Sequence, residues 1–400
     1  MKFATRLLNF NPAPGDSKNP ANVPIYQTAT FRQEKATEFG EYDYSRSGNP
    51  TRAAVEKQIA TLEGGTRGFC FSTGLAAVTA VTRLLAPGEE ILACDDLYGG
   101  TYRLFSRILA KRGVNVRYTD FSNLDLVKSS LSNKTKLVYL ETPTNPLLQI
   151  IDIRSVVAIA HRQGALVCVD NSTMSPYLQR PLELGADITL HSATKFLCGH
   201  SDVMAGVVVV RDDRLSEELY LIQNGEGACL SPFDSFLLLR GMKTLALRLD
   251  RQQENAKRIA GFLQPHRAIK QVYFPGLASG EQLRIHVAQA SGYGAVLSFV
   301  TGNPEISRKV VEATKLFTIA VSFGGVNSTL SLPNYMSHAS IPPNIRAQKS
   351  IPSDLVRLSV GAEDAGDLVE DLAQALESAT RERTARRDIV AVGAQVSASQ

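Results

Sequence analysis

The chain has 400 residues, which exceeds one ordinary domain and predicts a large domain joined to a smaller one. Hydrophobic residues make up 44% of it and charged residues 20%, so it can bury a sizeable core and is not disordered overall. Its formal net charge of +4 is small for this length, which argues against a dedicated nucleic-acid-binding protein.

The cysteines are odd in number, scattered, and mostly set in apolar runs, which is typical of reduced thiols in a cytosolic compartment. They are Cys70, Cys94, Cys168, Cys198 and Cys229. No apolar stretch approaches the roughly 18 residues of a membrane-spanning helix, and the run MKFATRLLNF lacks the apolar core of a secretory signal. We therefore expect a cytoplasmic protein with no membrane partner.

The first part of the chain predicts an extended arm followed by alternating helices and strands. Residues 1–50 are rich in Pro, Asn, Gly and Tyr and show little periodicity. Asn49 and Pro50 form a helix-start signal, which predicts a helix through AAVEKQIATLEG. Short apolar runs, separated by stretches with helical spacing, then predict strands; they are RGFCF, EEILAC, KLVYLE, GALVCVD, ADITLH and MAGVVVV. Such unbroken runs between helices predict a mostly parallel central sheet covered by helices.

The C-terminal part predicts a smaller α/β domain. A long helical pattern begins near Arg240, and shorter strand patterns follow it, including YGAVLSFVT and LVRLSVG. We divide the chain into an N-terminal arm over residues 1–50, a large domain over 51–250, a small domain over 251–380 and a disordered tail over 381–400.

Three features meet at the carboxyl ends of the predicted strands, where open α/β sheets bind ligands. The strand RGFCF ends in Ser72-Thr73-Gly74 and runs directly into a helix, which suits an anion such as phosphate, although a tight turn also explains it. The strand GALVCVD ends in Asp170, which either caps the next segment or holds a proton on a buried heterocyclic nitrogen. The strand ADITLH leads to Lys195, whose apolar surroundings favour a neutral amine able to form a Schiff base. This combination predicts a pyridine-aldehyde cofactor, pyridoxal phosphate, attached to Lys195.

The segment around that lysine, HSATKFLCGHSDVMAG, resembles the lysine motif of the Cys/Met-metabolism family of pyridoxal-phosphate enzymes. Further similar segments, in the family's order, are YDYSRSGNPT (42–51), STGLAA (72–77), DDLYGGT (95–101), ETPTNP (141–146), LLLRGMKTLALR (237–248) and SGYGAVLSF (291–299). The resemblance extends from about Val23 to Leu376. Within the family, the runs VPIYQTATF (23–31), DNSTMSPYLQRPLELGAD (170–187) and IAVSFGGVNSTLSLPNYMSHASIP (319–342) are most similar to plant-type cystathionine β-lyases.

The resemblance implies a fold-type I, aspartate-aminotransferase-like enzyme that uses pyridoxal 5'-phosphate and a small amino-acid substrate. It implies that Lys195 carries the cofactor as a Schiff base and that Asp170 pairs with the pyridine nitrogen. Tyr98 would stack on the ring and take part in proton transfer. The remaining implied ligands are Gly74, Leu75, Ser192 and Thr194 for the phosphate, Tyr44 and Arg46 for the phosphate of a neighbouring subunit, Asn145 on the ring hydroxyl side, and Arg357, Ser322 and Tyr44 for the substrate.

A site completed by a neighbour's arm implies an obligate dimer, and the family usually forms a tetramer of two such dimers. Taken singly, some of these residues also fit ordinary structural roles. Tyr98 fits a half-buried tyrosine, Arg46 fits a surface cation, and Arg357 fits a solvent-facing position in the alternating strand LVRLSVG.

The resemblance implies β-elimination of L-cystathionine to homocysteine, pyruvate and ammonia, a carbon–sulfur lyase reaction of methionine biosynthesis. Cystathionine γ-lyases and γ-synthases share the cofactor residues, so both activities stay open. Gly100 stands where methionine γ-lyases carry cysteine, which argues against that activity. Asn327 stands where γ-enzymes often carry glutamate and plant-type β-lyases tend to carry lysine, which leaves open cystine, cysteine conjugates or a β-linked C–N amino acid.

Other classes of protein have weaker support. A nicotinamide dehydrogenase would need a G-x-G-x-x-G turn, which follows none of the predicted strands. His191, Cys198 and His200 lack a fourth metal ligand at suitable spacing, so we expect no metal site. A non-catalytic binding protein would not need the lysine, aspartate and tyrosine of the family motifs. No transit peptide is visible, which suits a cytoplasmic protein or, for a mature plant enzyme, the plastid stroma.

Overall fold

The computed structural model describes residues 1–9, 18–339 and 351–397, with side chains as far as Arg381. Its strands form two sheets. The first sheet contains β1 (Arg67–Phe71), β2 (Glu90–Cys94), β3 (Asn115–Thr119), β4 (Thr135–Glu141), β5 (Leu166–Asp170), β6 (Ile188–Ser192) and β7 (Gly206–Val210). The second contains β8 (Gln271–Tyr273), β9 (Val296–Val300), β10 (Thr318–Ile319), β11 (Thr329–Ser331) and β12 (Leu355–Ser359).

Helices cover both sheets. They are α1 (Phe3–Leu8), α2 (Pro50–Glu63), α3 (Gly74–Thr82), α4 (Gly99–Arg103), α5 (Leu124–Ser130), α6 (Ile153–His161), α7 (Ser175–Leu178), α8 (Asp213–Glu226), α9 (Pro232–Met242), α10 (Leu245–Leu263), α11 (Gly280–Gln289), α12 (Pro304–Ala313) and α13 (Ala365–Ser397). A π-helical turn (Leu104–Ile108) continues α4, and short 3-10 turns lie at Leu109–Arg112, Pro181–Leu184 and Pro275–Leu277.

The first sheet has the strand order β1-β7-β6-β5-β4-β2-β3. Strands β2 to β6 pair in parallel, whereas β7 runs antiparallel to both of its neighbours, β1 and β6. The prediction of a mostly parallel central sheet is therefore confirmed, with β7 as the exception. Because β1 and β6 flank β7 in the opposite direction, the carboxyl ends of β1, β6, β5, β4 and β2 meet at one edge.

Helix α2 begins where the sequence predicts it. The side-chain carbonyl of Asn49 accepts hydrogen bonds from the amides of Thr51 and Arg52, and Pro50 occupies the first helical position. The helix ends at Gly64, whose φ of +74° is a conformation that glycine adopts without steric cost. Its apolar face is buried against the first sheet. Burial of each large apolar side chain there stabilises the fold by about 1.5–3 kcal/mol relative to leaving it exposed.

Separate apolar cores lie on the two faces of the first sheet and around the second sheet. The long helix α10 takes part in two of these cores, since Leu249 lies in one and Ile259 in the other. It therefore joins the two sheets. All five cysteines are free, and four of them are buried.

The structure differs from the sequence-based expectations in several elements. The arm contains the short helix α1, whose Leu7 is buried. The helical pattern near Arg240 is split at Lys243 and Thr244 into α9 and α10. Helix α13 extends to Ser397, and the disordered tail over 381–400 stays a prediction. The division of the chain into domains stays a prediction. Within the described residues, no helix has the length and apolarity needed to cross a membrane.

Candidate active site

The loop between β1 and α3 lies against the end of β6. The hydroxyl of Thr73 accepts a hydrogen bond from the amide of Ala76 at 2.9 Å and so caps α3. A Cβ atom on Gly74 would lie 2.9 Å from the Cβ and Oγ atoms of Ser192, so only glycine allows this approach. The first amides of α3, at Gly74 and Leu75, precede its internal hydrogen bonds and form the positive end of the helix. The two strand ends together form a cradle suited to an anion.

The side chain of Thr194 is bonded to the backbone of Ala205, which the sequence does not predict. Its hydroxyl accepts a hydrogen bond from the amide of Ala205 at 3.0 Å and lies 3.3 Å from the carbonyl of the same residue. This pairing fixes the turn between Ser192 and Lys195. To donate a hydrogen bond to an anion, the Thr194 hydroxyl would first have to give up its hydrogen bond to the Ala205 carbonyl.

Asp170 lies at the carboxyl end of β5 and is 9% exposed. Its Oδ1 atom accepts hydrogen bonds from the hydroxyl (2.5 Å) and the amide (3.0 Å) of Ser172, and its Oδ2 atom accepts one from the Tyr139 hydroxyl at 3.2 Å. Burial raises the pKa of Asp170, whereas the two Ser172 hydrogen bonds, the charge of His191 and the Tyr139 hydrogen bond oppose that rise. A buried carboxylate held in this way suits a strong hydrogen bond to a protonated heterocyclic nitrogen.

Lys195 follows β6, and its Nζ atom donates a hydrogen bond to the hydroxyl of Ser322. The same atom lies 5.2 Å from the centre of the Phe323 ring. Burial and the nearby Arg357 charge lower the pKa of Lys195 to about 8, although Asp170 acts in the opposite direction. A substantial fraction of the lysine is therefore neutral near pH 8, as an amine nucleophile requires.

Arg357, from β12 of the second sheet, is only 3% exposed, which excludes a solvent-facing position. Its Nη1 atom donates to the side-chain oxygen of Asn145 at 3.0 Å, and its Nη2 atom donates to the carbonyl of Ser322 at 2.6 Å. Burial lowers the pKa of Arg357 to about 10. Two of the five guanidinium N–H groups are thus used for orientation, and three remain for a ligand such as a carboxylate.

Ser322 links the lysine to the arginine. Its hydroxyl accepts from Lys195 and its carbonyl accepts from Arg357. Its φ of +83° lies in the left-handed region, which residues with a side chain rarely adopt. The strained backbone turns the hydroxyl and the carbonyl toward these two cations.

Tyr98 immediately precedes α4 and is 41% exposed. Its amide donates to the carboxylate of Glu141 at the end of β4, at 2.9 Å. A Cβ atom on Gly100 would lie 2.3 Å from the Tyr98 ring, so the ring occupies space that a larger residue at position 100 would need.

Tyr44 and Arg46 lie apart from this cluster in the described contacts. The Nε atom of Arg46 donates to the side-chain oxygen of Asn224 on α8 at 3.2 Å, and its guanidinium lies 5.2 Å from the centre of the Tyr44 ring. Tyr44 forms an isolated bridge with Thr30 in the arm. Both side chains are exposed.

The structure also brings in residues that the sequence reasoning missed. Tyr139 and Ser172 hold the Asp170 carboxylate, and the amide of Ser192 donates to the Ser172 hydroxyl at 2.6 Å. The position of Ser172, two residues after an aspartate, is a signal for this turn, because aspartate side chains commonly bond backbone amides two residues on. Tyr139 carries no such signal.

The residues considered as metal ligands have other partners. His191 shares a short hydrogen bond with the buried Glu63, and the Nδ1 atom of His200 is 2.7 Å from the carbonyl oxygen of Cys198. Across the described parts of the chain, no group of three or more His, Cys, Asp or Glu side chains is arranged to hold a metal ion.

An anion cradle, a buried carboxylate and a buried amine with a lowered pKa thus lie at one edge of a mostly parallel sheet. Their donors and charges match the phosphate, the ring nitrogen and the aldehyde of a single cofactor. Together, the fold and the site define a fold-type I enzyme that depends on pyridoxal phosphate.

Comparison with known proteins gives the family. The model of the Cys/Met metabolism PLP-dependent enzymes matches residues 4–377, and the chain belongs to this family. It is 54% identical over 357 residues to the chloroplastic cystathionine beta-lyase of Arabidopsis thaliana. The aligned region covers 89% of this chain and 77% of the relative. It is 46% identical to the chloroplastic mimosinase of Mimosa pudica, over 94% of this chain and 85% of the relative.

Solved structures agree with the family and the fold. The cystathionine gamma-lyase from Lactobacillus plantarum, complexed with L-serine, superimposes with a TM-score of 0.92 at 42% identity. The match covers 95% of this chain and 100% of that one. The predicted family, fold class and cofactor are therefore confirmed.

Proposed function

We propose that the chain catalyses the β-elimination of L-cystathionine, with one water consumed, to homocysteine, pyruvate and ammonia. The observation that carries the proposal is the Lys195–Ser322–Arg357 group, in which one serine joins the amine to the guanidinium. This arrangement supports the roles of base for Lys195 and of carboxylate-binding group for Arg357. The 54% identity to a relative named cystathionine beta-lyase supports the choice of substrate. The expected role is a carbon–sulfur lyase step of methionine biosynthesis.

The residues of the site divide into those that hold the cofactor and those that act on the substrate. When bound, pyridoxal phosphate supplies a carbonyl for the substrate amine and a ring that accepts the electron pair from Cα. Asp170 would hold the ring nitrogen, Asn145 would lie on the ring hydroxyl side, and Tyr98 would stack on the ring. The phosphate of the cofactor would be held by Gly74, Leu75, Ser192 and Thr194 of the same subunit and by Tyr44 and Arg46 of a neighbouring subunit.

Arg357 would bind the substrate α-carboxylate. Since Asn145 and the Ser322 carbonyl fix two edges of the guanidinium, its remaining N–H groups are oriented before the substrate arrives. Ser322, and Tyr44 of the neighbour, would complete the substrate site.

Lys195 would take the proton from Cα. Its lowered pKa makes the neutral amine available near neutral pH, and the Ser322 hydroxyl keeps the amine beside the carboxylate-binding Arg357. The same amine, once protonated, would pass the proton on to another atom of the bound substrate or cofactor. Tyr98 would be the second group at this face that transfers a proton.

A test of the reaction combines an absorbance spectrum of the purified protein with product analysis on L-cystathionine. We expect a visible cofactor band and the release of pyruvate and homocysteine in equal amounts. Release of 2-oxobutyrate and cysteine would instead identify γ-elimination, the second candidate, which the similarity to a γ-lyase structure keeps open. Absence of a visible band after pyridoxal phosphate is added would contradict the assigned cofactor site.

The preference for the leaving group is tested separately. Asn327 is exposed near the Ser322 turn, and the 46% identity to a relative named mimosinase shows that differently named enzymes lie within the same range of similarity. Parallel assays with cystine, a cysteine conjugate and a β-linked C–N amino acid, compared by kcat/KM, measure this preference.

The capture of the cofactor by the apoprotein should depend on pH. Because the pKa of Lys195 is lowered to about 8, the neutral amine rises from about a tenth of the molecules at pH 7 to about half at pH 8. We expect the rate at which the visible band forms to rise with pH through this range. Arg357→Met removes a cation that lowers this pKa, so its profile should move to higher pH.

The exposed Arg308 provides the matched control, since Arg308→Met leaves the surroundings of Lys195 unchanged. The ionisation of free pyridoxal phosphate affects the pH profile of every variant equally, so differences between the profiles report on the protein alone. Superimposable profiles for wild type and Arg357→Met would show that Arg357 does not tune the lysine.

The assembly and the compartment are also proposals. The exposed Tyr44 and Arg46 on the arm suit a dimer in which each arm completes the neighbour's site, and a tetramer of two such dimers. We place the protein in the cytoplasm, or in the plastid stroma if it is a mature plant enzyme.

A further inference from the structure

One buried arginine holds the segment of the arm that carries Tyr44 and Arg46. Arg52, in the first turn of α2, is 2% exposed. Its Nη1 atom donates to the carbonyl of Ser45 at 2.6 Å, and its Nη2 atom donates to the carbonyl of Arg46 at 2.9 Å. The planar guanidinium therefore fixes two consecutive peptide groups of the arm at once.

The arginine is itself held by a carboxylate. Glu56, one turn along α2, lies with its Oε1 atom 3.7 Å from the Nε atom of Arg52. The same Oε1 atom accepts a hydrogen bond from the amide of Cys70 on β1 at 2.8 Å and one from Gln223 at 3.3 Å. Arg52 and Glu56, here called the arm clamp, thus join the arm to the strand that leads into the anion cradle.

The first turn of α2 provides further contacts to the arm. The side-chain Nδ2 atom of Asn49 donates to the hydroxyl of Ser45 at 3.1 Å and to the carbonyl of Tyr26 at 2.9 Å. The backbone on the C-terminal side of Tyr44 is therefore fixed, while the side chains of Tyr44 and Arg46 remain exposed. The direction in which they project is set within their own chain.

We propose that Arg52 is a positioning residue for the cofactor-phosphate site of the neighbouring subunit. It acts through the arm, by presenting Arg46 and Tyr44 in the orientation that the neighbour's anion cradle requires. This inference rests on the proposed shared site. If Arg52 had a purely structural role, its substitution would weaken cofactor binding in its own subunit. If it acts through the arm clamp, its substitution weakens cofactor binding in the neighbouring subunit.

The test uses hybrid dimers that carry one copy of each of two variants, purified through two different affinity tags. In an Arg52→Gln/Lys195→Ala hybrid, the Arg52→Gln subunit keeps its lysine and receives an intact arm from its partner. One of the two sites is then complete, so we expect about half of the wild-type activity. The Arg52→Gln homodimer should bind pyridoxal phosphate about tenfold more weakly than wild type, measured by absorbance titration.

An Arg46→Ala/Lys195→Ala hybrid tests the shared site separately. If this hybrid regains activity and the Arg52→Gln/Lys195→Ala hybrid stays at or below the activity of the Arg52→Gln homodimer, Arg52 acts within its own subunit and the inference is wrong. If neither hybrid regains activity, the shared site fails and the inference fails with it.

Two further variants complete the experiment. Lys57→Gln, an exposed change on the same helix, should leave both cofactor affinity and activity at wild-type values. If Arg52→Gln does not fold, Arg52→Lys keeps the charge beside Glu56 but cannot bond both carbonyls through a planar fork, and it enters the same hybrids.

Discussion

Lys195→Ala is expected to reduce kcat by at least about 10³-fold, because in the proposed mechanism this amine both anchors the cofactor and takes the Cα proton. The protein should still fold, since the lost hydrogen bond to Ser322 is a single contact at the edge of the core. The measurement is pyruvate release from L-cystathionine, together with the absorbance spectrum after pyridoxal phosphate is added.

Lys128→Ala is the matched control, because Lys128 is exposed on α5. It should retain wild-type kcat and the wild-type spectrum. Substantial lyase activity in Lys195→Ala would mean that another base removes the proton, and the assignment of Lys195 would have to be abandoned.

Asp170→Asn should lower kcat by about 10²–10³-fold, the usual effect of removing one preorganised electrostatic partner. The substitution separates the two roles that the sequence leaves open for this residue. Asparagine can still accept a hydrogen bond from the Ser172 amide, so a capping role would survive, whereas the negative charge facing the ring nitrogen would be lost. Cofactor affinity should fall together with kcat.

Thermal unfolding of the same variant checks that the turn at Ser172 persists, and the exposed Asp213→Asn provides a control for the loss of one carboxylate. A kcat within about threefold of wild type would show that Asp170 serves only the turn.

The sequence predicts the elements of the site better than their connections. Each strand of the cofactor site was visible because it is an apolar run that ends in polar residues, as GALVCVD ends at Asp170. By contrast, the hydrogen bond between Arg357 and Asn145 joins residues 212 positions apart and has no local signal. The pairing of Tyr139 with Asp170 depends on the register of β4 against β5, which one-dimensional periodicity does not specify.

The fold shows the same limit. The antiparallel direction of β7 cannot be read from GVVVV, because a fully buried strand has the same pattern in either direction. Strand β3, NVRYT, was missed because its residues are only partly buried and its apolar pattern is weak at this sheet edge. The burial of Arg52 has no local signal in the sequence, because a charged residue in the first turn of a helix normally faces solvent.

The backbone of Ser322 bears on attempts to engineer this protein. A serine at a φ of +83° costs about 1–2 kcal/mol relative to a relaxed conformation, and glycine would remove that cost. Glycine would also remove the hydroxyl that holds Lys195. Selection for thermostability alone would therefore favour loss of this serine, and a screen for hardier variants has to measure turnover alongside melting temperature.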